Sequence, residues 1–162
     1  MEIKIFVEIP KGSHQKYERD EETQRIELDR TIYGPVYFPF EYGLIENTIS
    51  SDGDPLDAVI LTNEATFPGC LVKSRIIGML TMEDEGGIDN KIIAVPALKI
   101  NPSYAHINDV SDLTEFERNS IKEFFEIYKR MEPNKWVKVT GFVGSEEAEK
   151  EIEKAINNFN NK

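Results

Sequence analysis

The chain has 162 residues, of which 30 are acidic and 19 are basic, so its formal net charge is −11. This length suits a single domain, residues 1–162, with a substantial buried core. The excess of negative charge argues against nucleic acid or an anionic membrane surface as a partner. No apolar run approaches the ~20 residues that span a bilayer. Because its single cysteine, Cys70, cannot form an internal disulfide, we expect the protein to reside in the cytoplasm.

Short strand-like runs dominate the chain. Aliphatic side chains alternate with more polar ones over residues 3–9, the period of a strand with one buried face. Further short runs are separated by turn-forming residues and lie at 15–19, 25–28, 58–62, 71–80, 91–98 and 136–143. No helix-length pattern separates the early strands. We therefore predict a compact antiparallel barrel rather than βαβ units.

An acidic turn precedes the strand at 58–62. Asp52, Asp54 and Asp57 lie within six residues that also contain a glycine and a proline. Carboxylates this close repel one another unless solvent or a cation compensates, and hard divalent cations prefer oxygen ligands. A magnesium site and a solvated acidic turn are both open at this point. A calcium loop of the EF-hand type is excluded, because Leu56 stands where its fifth-position oxygen ligand belongs.

A second acidic cluster lies between the runs at 71–80 and 91–98. It contains Glu83, Asp84, Glu85 and Asp89. Two carboxylate-bearing loops that follow strands of one small barrel can face each other and share the ligands of a multi-metal centre. The alternative is a polar hairpin with two glycines at its tip.

Four basic residues stand near the ends of predicted elements rather than in one patch: Lys16, Arg30, Lys91 and Lys129. An acidic protein that binds a polyanion needs metal ions to bridge the like charges and a few cations to hold the outer oxygens. Carboxylates for metals together with dispersed cations are what phosphate hydrolysis requires.

Two helices are predicted late in the chain. Thr114 and Glu117 form a capping box for the first, whose apolar positions recur at helical spacing as far as Met131. The second begins at Ser145 with glutamates in its first turn. One apolar face of the first helix is expected to pack on the barrel, and Trp136, between the helices, is expected in the core.

The stretch 52–57 resembles the signature of the soluble family I inorganic pyrophosphatases of the short, prokaryotic type. The resemblance covers nearly the whole chain, through segments in the same order: Glu8-Ile9-Pro10, Lys16-Tyr17-Glu18, Asp29-Arg30, Glu41-Tyr42-Gly43, Asp84-Glu85, Asp89 with Lys91, Val95-Pro96, Phe124-Phe125-Glu126, Tyr128-Lys129 and Lys135-Trp136-Val137-Lys138-Val139. It implies an α+β, mainly β fold: a five-stranded OB-like closed barrel with additional short strands and two C-terminal helices. It also implies hydrolysis of pyrophosphate to two phosphates by in-line attack of a metal-activated water. Several Mg²⁺ ions would serve each site, with Mn²⁺ or Zn²⁺ as substitutes, and the chain would form a homohexamer.

The same resemblance implies roles for the carboxylates. Asp52, Asp57 and Asp89 would hold the tighter metal pair, with Asp57 bridging both ions. Asp54 would be the general base. Asp84 and Asp89 would hold a metal that arrives with the substrate.

The remaining roles follow from the resemblance as well. Glu18, with Glu8 assisting through water, would serve a further metal, and Tyr42 would hydrogen-bond near the nucleophile. Lys135 would be an outer cation. Phosphoryl oxygens would be bound by Lys16, Arg30, Lys91, Tyr128 and Lys129.

One position departs from the family pattern. Phe38 stands where the family usually has a tyrosine, and Tyr37 precedes it. Tyr37 is not expected to supply the missing hydroxyl, because adjacent strand residues point to opposite faces.

Two other functions stay open from the residues alone. One is a divalent-cation-binding structural or buffer protein without catalysis, which has no use for Lys16, Arg30 and Lys129. The other is a phosphohydrolase that acts on another phosphoanhydride, which should offer a pocket for a base or a sugar.

Overall fold

The computed structural model describes residues 1–162. Two α-helices are present, α1 (Glu115–Ile127) and α2 (Ser145–Asn160). Two single-turn 3₁₀ helices, Pro102–Tyr104 and Val110–Asp112, precede α1. Nine strands complete the fold: β1 (Glu2–Ile9), β2 (Gln15–Arg19), β3 (Ile26–Thr31), β4 (Glu41–Ile45), β5 (Leu56–Ile60), β6 (Leu71–Asp84), β7 (Gly87–Ile88), β8 (Lys91–Pro96) and β9 (Val137–Gly144).

Five strands close into a barrel. They pair in the order β1, β4, β5, β8 and β6, and β6 pairs back with β1. The predicted mainly β fold with a five-stranded closed barrel is therefore confirmed. The antiparallel prediction is wrong for one pair, since β5 and β8 run parallel. The chain between them passes through the long strand β6 and returns in the same direction, as a parallel pair requires.

Four strands lie outside the barrel. β7 and β9 pair only with β6, while β2 and β3 form a separate two-stranded antiparallel sheet. Of the barrel strands, β4 was not predicted from the sequence, and neither was the two-residue β7. Neither helix is long and apolar enough to span a membrane.

An aromatic cluster joins the barrel to α1. The ring of Phe38 lies 4.8 Å from that of Phe124, and Phe124 stacks on Tyr128 at 5.3 Å. Phe40 and Phe125 are also buried in this cluster. Burial of these large rings fixes the C-terminal end of α1 against the barrel and so places Tyr128.

The predicted helix starts are confirmed. Thr114 and Glu117 form the capping box of α1, and α2 begins at Ser145, whose backbone N–H donates to Asp109 at 2.7 Å. Two expectations were wrong. Met131 is 67% exposed because α1 ends at Ile127, before the predicted stripe does. Trp136 is 49% exposed, since it precedes β9, which lies outside the closed barrel.

Candidate active site

One cavity of about 680 Å³ brings together all thirteen predicted site residues. Lys135 also lines it. The predicted residues in its wall are Glu8, Lys16, Glu18, Arg30, Tyr42, Asp52, Asp54, Asp57, Asp84, Asp89, Lys91, Tyr128 and Lys129. Nine acidic and six basic side chains line the cavity in total, so its wall carries an excess of three carboxylates.

The barrel supplies the centre of this wall. Glu8 lies near the end of β1 and Tyr42 near the start of β4. Asp57 is the second residue of β5 and Lys91 the first of β8, two neighbouring strands. Asp84 ends β6. Barrel closure therefore gathers side chains from five strands at one place.

Four segments outside the barrel supply the rest, and one of them, the connection between β7 and β8, carries Asp89. The β2–β3 hairpin carries Lys16, Glu18 and Arg30. The loop between β4 and β5 carries the acidic turn of Asp52 and Asp54. A turn after α1 carries Tyr128 and Lys129.

Lys91 occupies the middle of the site and is only 2% exposed. Its Nζ donates to Asp57 Oδ2 and to Asp89 Oδ1, each at 2.5 Å. Burial opposes the charged form, but the carboxylates of Asp57 and Asp89 outweigh it and raise the pKa of Lys91, so the ammonium stays protonated.

Tyr42 orients Asp57 from the next strand. Its hydroxyl donates a 2.6 Å hydrogen bond to Asp57 Oδ2. Burial and the negative charge of Asp57 raise the pKa of Tyr42 well above its usual value. The phenol therefore stays a hydrogen-bond donor, and one oxygen of Asp57 accepts from both Tyr42 and Lys91.

Asp54 sits in the acidic turn without a cation beside it. Its backbone N–H donates to Asp52 Oδ1 at 3.0 Å. The turn needs a glycine at Gly53, whose φ of 99° disfavours other side chains. Partial burial, followed by the charges of Asp52 and of Asp57 nearby, raises the pKa of Asp54. This carboxylate is thus more basic than an ordinary aspartate.

Glu8 is a buried carboxyl group behind the acidic turn. It accepts a 2.7 Å hydrogen bond from the backbone N–H of Arg19. Burial raises the pKa of Glu8 to about 7, because it outweighs this hydrogen bond, and the charge of Asp57 raises the pKa further in the same direction.

Lys129 and Lys135 form ion pairs with the second acidic cluster. Lys129 Nζ lies 2.7 Å from Asp84 Oδ2 and 3.4 Å from Glu85 Oε1, and Lys135 Nζ lies 2.6 Å from Glu85 Oε1. Partial burial raises the pKa of Glu85, but the hydrogen bond from Lys135 and those from two backbone N–H groups outweigh it and lower that pKa to about 2.

The hairpin cations are also paired with carboxylates. Lys16 contacts Glu18 and lies 3.6 Å from Asp29, which in turn contacts Arg30. Arg30 also binds Glu132, a residue that the sequence did not single out. No motif marks Glu132, since it lies 102 positions from its partner.

The donor set fits a hard divalent cation. Carboxylate oxygens dominate the wall, and oxygen-only sites suit magnesium. In the observed side-chain positions no three acidic, histidine or cysteine side chains converge as a metal site, because the ammonium of Lys91 lies between Asp57 and Asp89.

The position that departs from the family pattern lies in the core. Phe38 is 2% exposed, packs beside Tyr42 with ring centroids 5.6 Å apart, and does not line the cavity. Tyr37 points to the other side, is exposed, and lies 4.7 Å from the ring of His14.

A profile of the inorganic pyrophosphatase family matches residues 5–160. The chain belongs to this family. It is 52% identical over 155 residues to the inorganic pyrophosphatase of Saccharolobus solfataricus, with 96% of this chain and 90% of that protein covered. This inorganic pyrophosphatase fold is also seen in solved structures. The enzyme of Helicobacter pylori superposes with a TM-score of 0.96 at 46% identity, covering 98% of this chain and 94% of that one. The enzyme of Thermus thermophilus superposes with a TM-score of 0.95 at 39% identity, covering 98% of this chain and 91% of that one.

Family membership confirms three expectations from the sequence. The chain is an enzyme, its activity is that of an inorganic diphosphatase, and the activity depends on metal ions.

Proposed function

We propose that this chain hydrolyses pyrophosphate to two phosphates with Mg²⁺ in the cavity, and that Asp54 takes the proton of the attacking water. The observation that carries this proposal is the position of Asp54. Partial burial and four neighbouring acidic side chains raise its pKa, whereas Asp57, Asp84 and Asp89 are each paired with a lysine, and Asp52 accepts the backbone N–H of Asp54. A carboxylate without a cationic partner is available as a general base.

The metal ions would be held by the carboxylates of the cavity. We assign Asp52, Asp57 and Asp89 to a tighter pair of sites, with Asp57 shared, and Asp84 with Asp89 to a site filled together with the substrate. When bound, Mg²⁺ offsets the negative charge of the phosphoryl oxygens and lowers the pKa of water toward neutrality. Mn²⁺ or Zn²⁺ would serve as substitutes.

Glu18 and Glu8 form the outer part of this metal-binding wall. Glu18 lies on the hairpin and Glu8 at the end of β1. Both line the cavity, and the buried Glu8 is suited to act through water rather than by direct ligation.

The substrate would be bound by the basic side chains and one tyrosine. Lys16 and Arg30 approach from the hairpin, and Tyr128 and Lys129 from the turn after α1, so they can hold phosphoryl oxygens from two directions. Burial raises the pKa of Tyr128, which keeps its hydroxyl a donor. Lys91 both lines the cavity and holds two of the carboxylates in place.

Hydrolysis in line requires that the departing phosphate already has its charge compensated. Arg30, Tyr128 and Lys129 provide fixed donors for it, and fixed donors need no rearrangement when the bond breaks. Meanwhile Tyr42 holds Asp57, so that the carboxylates near the nucleophile keep their orientation.

The composition of the wall favours pyrophosphate over a nucleotide. Only five of the 24 lining residues are hydrophobic, which leaves little apolar surface for a base. Phosphate release from pyrophosphate and from ATP, each with Mg²⁺ and with EDTA, tests this choice. We expect rapid, Mg²⁺-dependent release from pyrophosphate and slow release from ATP. Comparable rates would favour a broader phosphohydrolase, and no release from either would favour a cation buffer.

We also infer that residues 1–162 act as one domain within a homohexamer in the cytoplasm. Large apolar side chains remain exposed on the isolated chain, among them Leu71, Ile100 and Phe116, and such surface is available for subunit contacts. Sedimentation of the purified protein measures the oligomeric state.

A further inference from the structure

The β2–β3 hairpin carries three proposed site residues but stands apart from the barrel. Its strands hydrogen-bond to each other and form a separate sheet. The position of Lys16, Glu18 and Arg30 relative to the turn that bears Tyr128 and Lys129 is therefore set by loop and side-chain contacts rather than by a strand ladder.

One side-chain contact joins the hairpin directly to that turn. Arg30 Nε donates to Glu132 Oε1 at 2.8 Å, and Arg30 Nη2 donates to Glu132 Oε2 at 3.1 Å. A bidentate pair of this kind fixes the plane of a guanidinium as well as its position. The side chain of Glu132 is only 8% exposed, so both of its oxygens face Arg30 rather than bulk water.

Arg30 keeps donors free for a ligand. A guanidinium has five N–H donors. Glu132 accepts two of them and Asp29 accepts one from Nη1, which leaves two. Arg30 lines the cavity whereas Glu132 does not. Glu132 thus contacts the guanidinium on the side away from the cavity, and the remaining N–H groups of Arg30 are available to the cavity.

The turn that presents Glu132 is the one that presents Lys129. The backbone N–H of Glu132 donates to the carbonyl oxygen of Lys129 at 3.0 Å. Pro133 follows and disfavours helical backbone at Glu132, which helps to end the helical segment here. The Arg30–Glu132 pair therefore couples the position of the hairpin cation to that of the cation on the turn.

We propose that Glu132 is a positioning residue: it holds the guanidinium of Arg30 in the orientation that binds the phosphoryl oxygens of pyrophosphate. This inference rests on the phosphoryl-binding role proposed for Arg30. Glu132 itself does not touch the substrate.

A double-mutant cycle tests the inference. Steady-state kinetics with pyrophosphate at saturating Mg²⁺ are measured for wild type, Glu132→Gln, Arg30→Ala and the double variant. We expect Glu132→Gln to raise KM by about tenfold and to change kcat by less than about threefold, because orientation of a bound group is lost. In the Arg30→Ala background the same change should alter kcat/KM by less than about twofold.

A merely structural role for Glu132 predicts a different result. The loss in kcat/KM would then be the same in both backgrounds, and that outcome overturns the inference. An unchanged KM in Glu132→Gln, while Arg30→Ala raises KM, overturns it as well and leaves the role of Arg30 standing. An unchanged KM in Arg30→Ala overturns the role of Arg30 and the inference together.

Two further variants complete the design. Glu146→Gln breaks an exposed pair with Lys150 on α2, away from the cavity, and is the matched control that should leave both constants unchanged. Thermal unfolding followed by circular dichroism shows whether each variant folds. If Glu132→Gln does not fold, the cycle is run with Glu132→Asp, whose shorter side chain withdraws the carboxylate from the guanidinium, and the expected changes keep the same direction.

Discussion

Lys91 Nζ lies 2.5 Å from Asp57 Oδ2, across the parallel strands β8 and β5. The same ammonium is 2.5 Å from Asp89 Oδ1. One buried lysine therefore forms ion pairs with two carboxylates that we assign to metal binding, and it keeps them close together when no metal ion is bound. Removing one partner of a buried ion pair is costly, because the other charge is left without compensation.

Replacing Lys91 with methionine should expose this cost. In buffer with EDTA we expect the free energy of unfolding to fall by ~3 kcal/mol, because Asp57 and Asp89 lose their cation. Saturating Mg²⁺ should then stabilise Lys91→Met more than wild type, since it binds the same carboxylates. Urea unfolding with EDTA and with Mg²⁺ measures both effects. Lys154→Met, which removes an exposed partner of Glu151, is the control. Equal stabilisation of variant and wild type by Mg²⁺ would argue against these metal ligands.

Glu8 should make stability depend on pH in metal-free buffer. Burial raises its pKa from 4.5 to about 7 in the folded protein. Between these values the folded state binds more protons than the unfolded state, so the contribution of Glu8 to stability is present below pH 4.5 and is lost as the pH rises through 7.

The variant Glu8→Gln cannot ionise and should escape this loss. We expect its free energy of unfolding to increase relative to that of wild type by up to ~3 kcal/mol as the pH rises from 4.5 through 7. Urea unfolding at a series of pH values measures the difference, and Glu153→Gln on the exposed face of α2 is the matched control. A difference between Glu8→Gln and wild type that stays constant with pH would show that Glu8 titrates normally.

Phe38→Tyr should have a small effect on activity. Phe38 is packed among aromatic rings and does not line the cavity, so a hydroxyl added there gains no direct contact with the substrate. We expect kcat/KM to change by less than about tenfold, which corresponds to the net free energy of roughly one hydrogen bond. Steady-state kinetics measure it. A larger gain would mean that the hydroxyl of the usual tyrosine takes part in the reaction.

The fold could be predicted where local pattern and tertiary structure agree. Alternation marked β1, and the capping box of Thr114 marked the start of α1. β4 was missed because Glu41, a charged residue, is buried there and Gly43 interrupts the alternation; the carboxylate of Glu41 is satisfied by Thr66, a partner 25 positions away. Trp136 was wrongly predicted to lie in the core, because its apolar character does not indicate whether the last strand joins the closed barrel or pairs with β6 outside it.

The candidate site shows the same division. Its members could be listed from the resemblance, and the structure places all of them in one cavity. Their pairing could not be predicted, because distances between strands decide it. Lys91 could be expected to bind phosphate but not to lie between Asp57 and Asp89, and Glu132 belongs to no motif at all.

We propose that Asp54 is the base of the acidic turn and Asp52 a metal ligand, and the turnover of Asp54→Asn distinguishes these two roles. Asparagine has nearly the same shape but cannot accept the proton, so we expect kcat for pyrophosphate at saturating Mg²⁺ to fall by at least about 100-fold. Mg²⁺ affinity, measured by calorimetry on the same sample, should stay within about threefold, whereas Asp52→Asn should weaken it. Weakened Mg²⁺ binding by Asp54→Asn together with a normal kcat at saturating Mg²⁺ would contradict the account, because it would make Asp54 a metal ligand and not the base.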